Sequence, residues 1–372
     1  MWNSEMNGYF YVLTTIDIFV LGFMCILTKL SESLNQKQKR GFFLAFFLIA
    51  MISLLEVVTI VVDGAPKKYR WINIISNYLG FGLSPAVCIC LVYVLDKNTT
   101  LRRELKLAIW IQVLYLIFLG LSIPCKLVFS VNQNNIYARE DYFFIYVITY
   151  FISILYLSLS TIIVSKPFQN RSKALIYPLM IFLISETIIQ IVLPELHVTW
   201  LCVTLLSVLY FIYCNEMWNQ LDALTGLLNQ NSFINRSNEM NYTNGMLIVL
   251  DVDGFKQVND VYGHVTGDLC LAQIADCIKK AYAKYGYCYR IGGDEFCILL
   301  KDYRNKDACL DAFESLLKIK RKEYSFLPSI SYGDAYLSIG DIVTVKDLAD
   351  QNMYAYKKSK KSVTTLFRSD PS

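Results

Sequence analysis

Two pairs of acids sit where the second half of the chain turns. Asp251-Val252-Asp253 closes the apolar run Met246-Leu247-Ile248-Val249-Leu250, and Asp294-Glu295 directly follows Gly292-Gly293. The apolar run has the length of a strand and no polar residue, the pattern of a central buried strand that surfaces at its carboxyl end. Residues two apart on a strand face the same way, so both carboxylates project together unless the chain turns there. Two acids in the turn after a strand are the plainer alternative. Tyr285 to Ile291 and Asp294 to Leu300 also read as strands, and Gly292-Gly293 between them predicts a hairpin, because glycine tolerates the positive φ of tight primed turns. The bare N–H groups of such a turn can approach an anion. Acids beside it repel phosphate unless a divalent metal lies between, and Mg²⁺ suits that place because it binds through one or two carboxylates plus substrate phosphates.

The elements that must position these acids follow from the sequence between them. Gly254-Phe255-Lys256-Gln257-Val258-Asn259-Asp260 leads to Tyr262-Gly263-His264-Val265-Thr266-Gly267-Asp268, and a helix is expected from about Leu269 to Lys284. Leu269, Ala272, Cys277 and Ala281 are its expected inward residues. Taken singly, these polar residues fit structural roles: Asp268 as a helix cap, Asn259 and His264 as satisfied loop groups. Lys318 to Lys322 reads as a solvated helix face. No Walker A loop, zinc-protease pattern or regular basic–aromatic stripe is present, so no nucleic-acid partner is expected.

The rest of the chain is of another kind. Of 372 residues, 55% are hydrophobic and 18% charged, with a mean hydropathy of +0.39. A soluble protein usually carries nearer a quarter charged residues. The apolar excess lies before about residue 214, and the net charge of +4 arises there too, from 16 Lys and Arg against 11 Asp and Glu. Seven spans of membrane-crossing length are expected, at about 9–30, 41–62, 72–95, 105–123, 142–164, 174–193 and 197–214. The first has no basic segment before it and no small-residue cleavage site, so it is expected to be retained. Eleven basic residues flank the first, third and fifth connections, against five in the alternate ones, including Pro66-Lys67-Lys68. By the positive-inside rule the amino terminus is expected outside and the carboxyl-terminal domain in the cytoplasm. No exterior loop exceeds about 20 residues, so a stimulus is expected to be read within the helices or at their mouth. Asp17, Glu56 and Glu186 are the candidates, since a carboxylate at membrane depth normally faces a partner or a cavity. Pro85 and Pro178 are expected to bend their helices. Eleven Cys with no CxxC pair, and two His in all, exclude a zinc site or a disulfide framework.

Arg290-Ile291-Gly292-Gly293-Asp294-Glu295-Phe296 resembles the signature of the GGDEF diguanylate cyclase family. The resemblance covers about 222–367. It takes in the opening motif Asp222-x-Leu224-Thr225-x-Leu227, the block from Asp251 to Asp268, Ser331-Tyr332-Gly333, and Ala349-Asp350 followed by Tyr354 and Lys357. With the apolar spans and loop charges, the expected organisation is a transmembrane bundle of about seven helices (1–214), a helical linker (215–221) and a cytoplasmic α/β domain (222–372). That domain would have a central, mostly antiparallel sheet flanked by helices, like the palm of nucleotidyl cyclases. The implied reaction joins two GTP molecules into cyclic di-GMP with release of two pyrophosphates, across a homodimer in which each domain holds one GTP. In the roles so implied, Asp251 and Asp294 ligate Mg²⁺, or Mn²⁺ in its place, with the Val252 carbonyl assisting. Glu295 is a further ligand or helps to deprotonate the 3′-hydroxyl. Asn259 and Asp268 hydrogen-bond the guanine edge and His264 lines that pocket. Gly292 and Gly293 approach the phosphates, which Lys256 and Lys357 meet as point charges; Lys256 is counted with Asp294 and Glu295 as catalytic.

The sequence departs from the family pattern in three places. Asn229-Gln230 stands where Asn-Arg is common, and Lys360-Lys361 where Gly-Arg is usual. Lys361 can still contact phosphate, without the bidentate geometry of arginine. The product-inhibition motif, Arg-x-x-Asp, is replaced by Ala283-Lys284-Tyr285-Gly286, so product feedback through that site is expected to be weak or absent. Two other readings stay open: a catalytically silent GTP-binding module, and a receptor whose output is protein contact.

Overall fold

A computed structural model describes residues 2–96, 102–165, 181, 185, 188, 199–237 and 244–366, without the side chains of 2–8 and 361–366. The chain divides into two compact units between Trp218 and Asn219.

The first unit is built from α1 (Trp2–Leu30), α2 (Gln36–Val62), α3 (Arg70–Leu95), α4 (Arg103–Cys125), α5 (Phe143–Ser165) and α6 (Thr199–Asn219). These give six helices, among the described residues, long and apolar enough to cross a membrane. The span expected at 174–193 lies outside the described residues but for Ile181, Ser185 and Ile188, and so do Glu186 and Pro178. Pro85 lies inside α3, which continues past it. Asn35 starts α2 with a capping box: its side chain accepts from the Gln38 amide at 2.9 Å, and Gln38 accepts from the Asn35 amide at 2.9 Å.

The two ends of this unit differ chemically. At one end Lys37 and Arg102 reach the buried Asp96 carboxylate at 3.0 and 3.4 Å. Ser31 and Ser33 donate to Asn215 Oδ1 there, at 2.7 and 2.5 Å. The first and third connections, rich in Lys and Arg, therefore share the end from which α6 leaves. At the other end the connection after α4 folds into a hairpin of β1 (Phe129–Val131) and β2 (Tyr137–Arg139), which the sequence did not announce. Buried Asn135 donates to the Val62 and Ala65 carbonyls at 2.6 and 3.0 Å. Asp63 accepts from Asn73 at 3.1 Å and from the Tyr137 amide at 2.7 Å. The hairpin is thus tied to α2 and α3 by polar groups that satisfy one another away from water.

The second unit contains α7 (Gln230–Ser237), β3 (Met246–Val252), α8 (Phe255–Tyr262), α9 (His264–Tyr282), β4 (Gly286–Arg290), β5 (Glu295–Leu300), α10 (Lys306–Glu323), β6 (Ile330–Tyr336) and α11 (Ile342–Leu366). The strands form one antiparallel sheet in the order β4-β5-β3-β6. The apolar run of β3 is central, and its alternate residues supply two cores. Met246, Ile248, Leu250 and Val252 pack with Ile274 and Ile278 of α9 and Phe313 and Leu317 of α10. Leu247 and Val249 pack on the other face with Phe233 of α7 and Val345 and Ala349 of α11. Each such side chain stabilises the fold by about 1.5–3 kcal/mol through burial. Gly333 of β6 allows α11 to lie directly on the sheet: a Cβ there would sit 2.1 Å from the Met353 nitrogen and 2.2 Å from the Ala349 oxygen.

Three local expectations are corrected. The helix expected from Leu269 begins at His264, because Gly263 at φ 82° breaks the chain just before it. Asp268 therefore lies inside α9 and is not a cap, and Leu269 is 40% exposed rather than inward, while Cys277 and Ala281 are buried as expected. The glycine pair takes no positive φ. The Ile291 amide instead closes on the Glu295 carbonyl at 3.0 Å, leaving Gly292, Gly293 and Asp294 as a three-residue bend. In the basic run, Lys318 and Lys322 are exposed, but Arg321 is half-buried and donates to the Leu327 and Pro328 carbonyls. All the cysteines are free thiols, and the five of the second unit are buried.

Candidate active site at the open ends of two strands

The register of β3 and β5 gathers the acids. Asp251 is the Cα partner of Glu295, and the Val252 amide donates to the Asp294 carbonyl at 3.3 Å. Opposite residues of an antiparallel pair share a face. For Asp251 and Glu295 that face is the one of Leu247 and Val249, which α11 covers. From α11, Lys357 places its ammonium on Asp251 Oδ1 and 3.8 Å from Asp253 Oδ1. Burial alone would lower the affinity of Lys357 for its proton; the hydrogen bond to Asp251 and the charges of Asp251, Asp253 and Asp294 outweigh it and raise the pKa.

Asp253 follows the strand and is held separately. It accepts from the Ser329 and Ser331 hydroxyls at 2.5 and 2.6 Å and from Lys360 at 3.2 Å. Burial pushes its carboxyl up, but these donors together bring it below the usual carboxylate range. The two acids of Asp251-Val252-Asp253 thus both meet the basic end of α11, although the chain turns between them.

The bend is buttressed from behind. The Arg290 side chain donates to the Gly293 carbonyl at 2.8 and 3.2 Å and to Asp222 at 3.1 and 3.3 Å. Asp222 in turn accepts from the Thr225 amide at 2.8 Å and its hydroxyl at 2.6 Å, closing the opening motif into a turn. Burial raises the Asp222 carboxyl, and the Thr225 donors with Arg290 more than reverse that. Gly292 leaves room for Glu295, whose Oε2 would lie 3.2 Å from a Cβ at that position; at Gly293 the space is open.

The remaining expected residues lie at the α8–α9 corner or on α11. Asn259 is half-buried with its Oδ1 against Gly267, where a Cβ would meet it at 1.9 Å. His264 and Asp268 are exposed in the first turns of α9, and Lys256 is exposed in the first turn of α8. Lys361 is part of α11, with its side chain outside the described residues. Reading the sequence missed the parts played by Ser329, Ser331, Lys360 and the Asp222–Arg290 pair. Only the Asp-x-x-Thr spacing of Asp222 and Thr225 carried a local signal, that of a side chain capping its own turn.

Among the described residues, no three acids, histidines or cysteines stand close enough to hold a metal ion by themselves. The strand ends offer oxygen only: the Asp251, Asp294 and Glu295 carboxylates and the Val252 carbonyl. That set fits a hard divalent cation whose shell is completed by substrate phosphate and water, and not zinc. The ammonium on Asp251 marks the same place as one that holds positive charge.

In the membrane-spanning unit, Asp17 of α1 is 2% exposed and accepts from Ser53 of α2 at 3.4 Å. It is the most enclosed of the expected intramembrane acids among the described residues.

Comparison with known proteins finds similarity in the second unit. Residues 219–362 match the model of the family described as diguanylate cyclase, GGDEF domain. An uncharacterized membrane protein of Staphylococcus saprophyticus is 37% identical over 143 residues, which cover 35% of this chain and 39% of that protein. One of Staphylococcus aureus is 31% identical over 186 residues, covering 45% and 51%. The matches thus span about half the length of these relatives or less. Among solved structures, the GGDEF domain of DgcB from Caulobacter crescentus, in complex with c-di-GMP, is 26% identical, covering 38% of this chain and 91% of that one at a TM-score of 0.32. The diguanylate cyclase SiaD of Pseudomonas aeruginosa, in complex with its activator SiaC, is 27% identical, covering 42% and 67% at a TM-score of 0.36. Residues 219–362 of this chain are a GGDEF domain of the diguanylate cyclase family, preceded by six long apolar helices among the described residues.

Proposed function

We propose that the protein is a membrane-bound diguanylate cyclase that condenses two GTP into cyclic di-GMP and two pyrophosphates. Residues 1–214 serve as its input region, 215–221 as the connection and 222–372 as its output. The observation that carries the reading is the pairing of Asp251 with Glu295 at the strand ends, with Asp294 in the adjoining bend and Lys357 against Asp251. A purely structural sheet has no use for three acids on adjoining strand ends, since like charges facing each other across a strand pair are destabilising. They become useful where polyphosphate and a divalent cation meet.

In each half-reaction the 3′-hydroxyl oxygen of one GTP bonds to the α-phosphorus of the other, the α–β phosphoanhydride bond breaks, and pyrophosphate leaves. Asp251, Asp294, Glu295 and the Val252 carbonyl would hold Mg²⁺, or Mn²⁺, which would supply positive charge against the phosphates. Glu295 lies at the mouth of the bend and takes up the hydroxyl proton. Lys357 and Lys256 meet the triphosphate, with Lys361 along the same helix as Lys357. Gly292 and Gly293 let the phosphates approach the backbone. Asn259 and Asp268 hold the guanine edge, where an acceptor carboxylate suits N1–H and the amino group, and His264 lines that edge. The protein's main contribution is positioning.

One chain holds one nucleotide, so catalysis requires two copies face to face. In this reading the domain lies in the cytoplasm and the amino terminus outside; the basic connections at the end of the helices where α6 closes support it. Full-length protein in lipid nanodiscs should release pyrophosphate from GTP in the presence of Mg²⁺ and not from ATP, and Asp294→Asn should abolish the release. Equal release from the wild type and the variant would defeat the assignment; nucleotide binding without release would identify a silent module.

A further inference from the structure

Lys360 stands where glycine is usual in the family, yet it is one of the best-held side chains of the site. Its ammonium bridges the Asp253 carboxylate at 3.2 Å and the Ile330 carbonyl at 3.0 Å. Lys357, three residues earlier on the same helix, reaches Asp251 and lies 3.8 Å from Asp253. Asp253 therefore has two ammonium groups within reach, with the Ser329 and Ser331 hydroxyls as further donors.

We infer that the two lysines divide the work. Lys360 is a positioning residue that supplies the standing counter-charge of Asp253, so that Lys357 remains on Asp251 and is free to transfer to an incoming polyphosphate. Two features argue for it. Lys360 is fixed by a carboxylate on one strand end and a carbonyl on the next, so moving it costs two charge-assisted hydrogen bonds. Among the described residues Lys357 has acids as its charged partners, and both ends of its transfer, carboxylate and phosphate, are anionic. Without the charge on Lys360, Asp253 would draw Lys357 across the 3.8 Å gap and away from the place where phosphate must be met. Asp253, bound directly by Ser331 of β6 and linked to the Ile330 carbonyl by way of Lys360, fixes the turn that presents the Val252 carbonyl.

The nucleotide arm of the test rests on the cyclase reading, and a second arm does not. In full-length protein in nanodiscs, Lys360→Gln should weaken binding of a non-hydrolysable GTP analogue with Mg²⁺ by about threefold to tenfold, measured by calorimetry. Adding Asp253→Asn should restore most of that loss, because the charge left uncompensated is then gone; Lys360→Arg should restore it too. In nucleotide-free protein, hydrogen exchange of the segments around residues 251–254 and 329–331 should quicken in Lys360→Gln and slow again in the double variant. Additive losses in the double variant, or unchanged exchange in Lys360→Gln, would overturn the assignment. A wild type that fails to bind the analogue counts against the cyclase reading alone, and the exchange arm still decides the role of Lys360.

Discussion

Asp251 of β3 and Glu295 of β5 are direct partners across the strand pair, two acids on one face of the sheet. Such a pairing weakens a sheet unless cationic charge is held between or beside the two, and Lys357 provides part of it. Replacing Glu295 by Gln should therefore stabilise the nucleotide-free domain, by about 0.2–1 kcal/mol, while removing at least about 99% of turnover. Thermal unfolding and pyrophosphate release measured on the same preparation check both halves. A variant that loses stability together with activity would mean that the pair is structural.

Asp222 and Arg290 tie the opening turn to the glycine bend, and the Asp222 carboxyl lies below its usual range. A carboxyl lowered in the folded state contributes stability above its unfolded pKa and loses it as pH falls through the folded value. Asp222→Asn should cost about 1 kcal/mol at neutral pH, and the difference from wild type should shrink below about pH 4. Denaturant unfolding at a series of pH values reads it. A difference that persists unchanged in acid would mean that the ion pair is not its source.

Gly333→Ala would drive a methyl group into the backbone of α11, against the Met353 nitrogen and the Ala349 oxygen. Neither atom can rotate away. The substitution should destabilise the domain by about 1–3 kcal/mol and displace Lys357 with its helix, so turnover should fall along with the unfolding midpoint. An unchanged midpoint would contradict the contact.

Much of this domain could be read from the sequence, and the part that could not has a common cause. The uninterrupted apolar run of β3 revealed a strand buried on both faces, because only a central strand can place every residue in a core. The acids at its end and at the bend were visible as violations of that pattern. What stayed hidden depends on contacts between distant segments. Ser329 and Ser331 become partners of Asp253 only through the β3–β6 register, and Lys360 reaches it only because Gly333 lets α11 settle on the sheet. The hairpin of β4 and β5 was foreseen, but not its turn: Arg290 holds the Gly293 carbonyl and the bend takes three residues. The start of α9 was misplaced because Gly263, five residues before Asp268, ends one helix and begins the next.

We propose that residues 1–214 act on the cyclase domain by rotating or shifting α6 in a dimer. Leu205, Leu209 and Ile212 are exposed along one side of it, at helical spacing, whereas Leu206, Tyr210 and Tyr213 are buried. In full-length protein in lipid, cysteines at 205, 209 and 212 should cross-link between copies more readily than those at 206, 210 and 213. Cross-linked species should differ in turnover from position to position, because rotation of the helix changes how two domains face each other. Equal turnover at every cross-linked position would contradict a rotating input.

The central claim is that the acid-rich strand ends join two guanine nucleotides into one ring. The direct measurement is chromatographic analysis of the nucleotides formed when purified full-length protein in lipid is given GTP and Mg²⁺. The account predicts one cyclic di-GMP for every two GTP consumed, with one pyrophosphate per GTP, and none of this from the Asp294→Asn variant. Conversion of GTP to GDP and phosphate, or the same cyclic product from that variant, would contradict it.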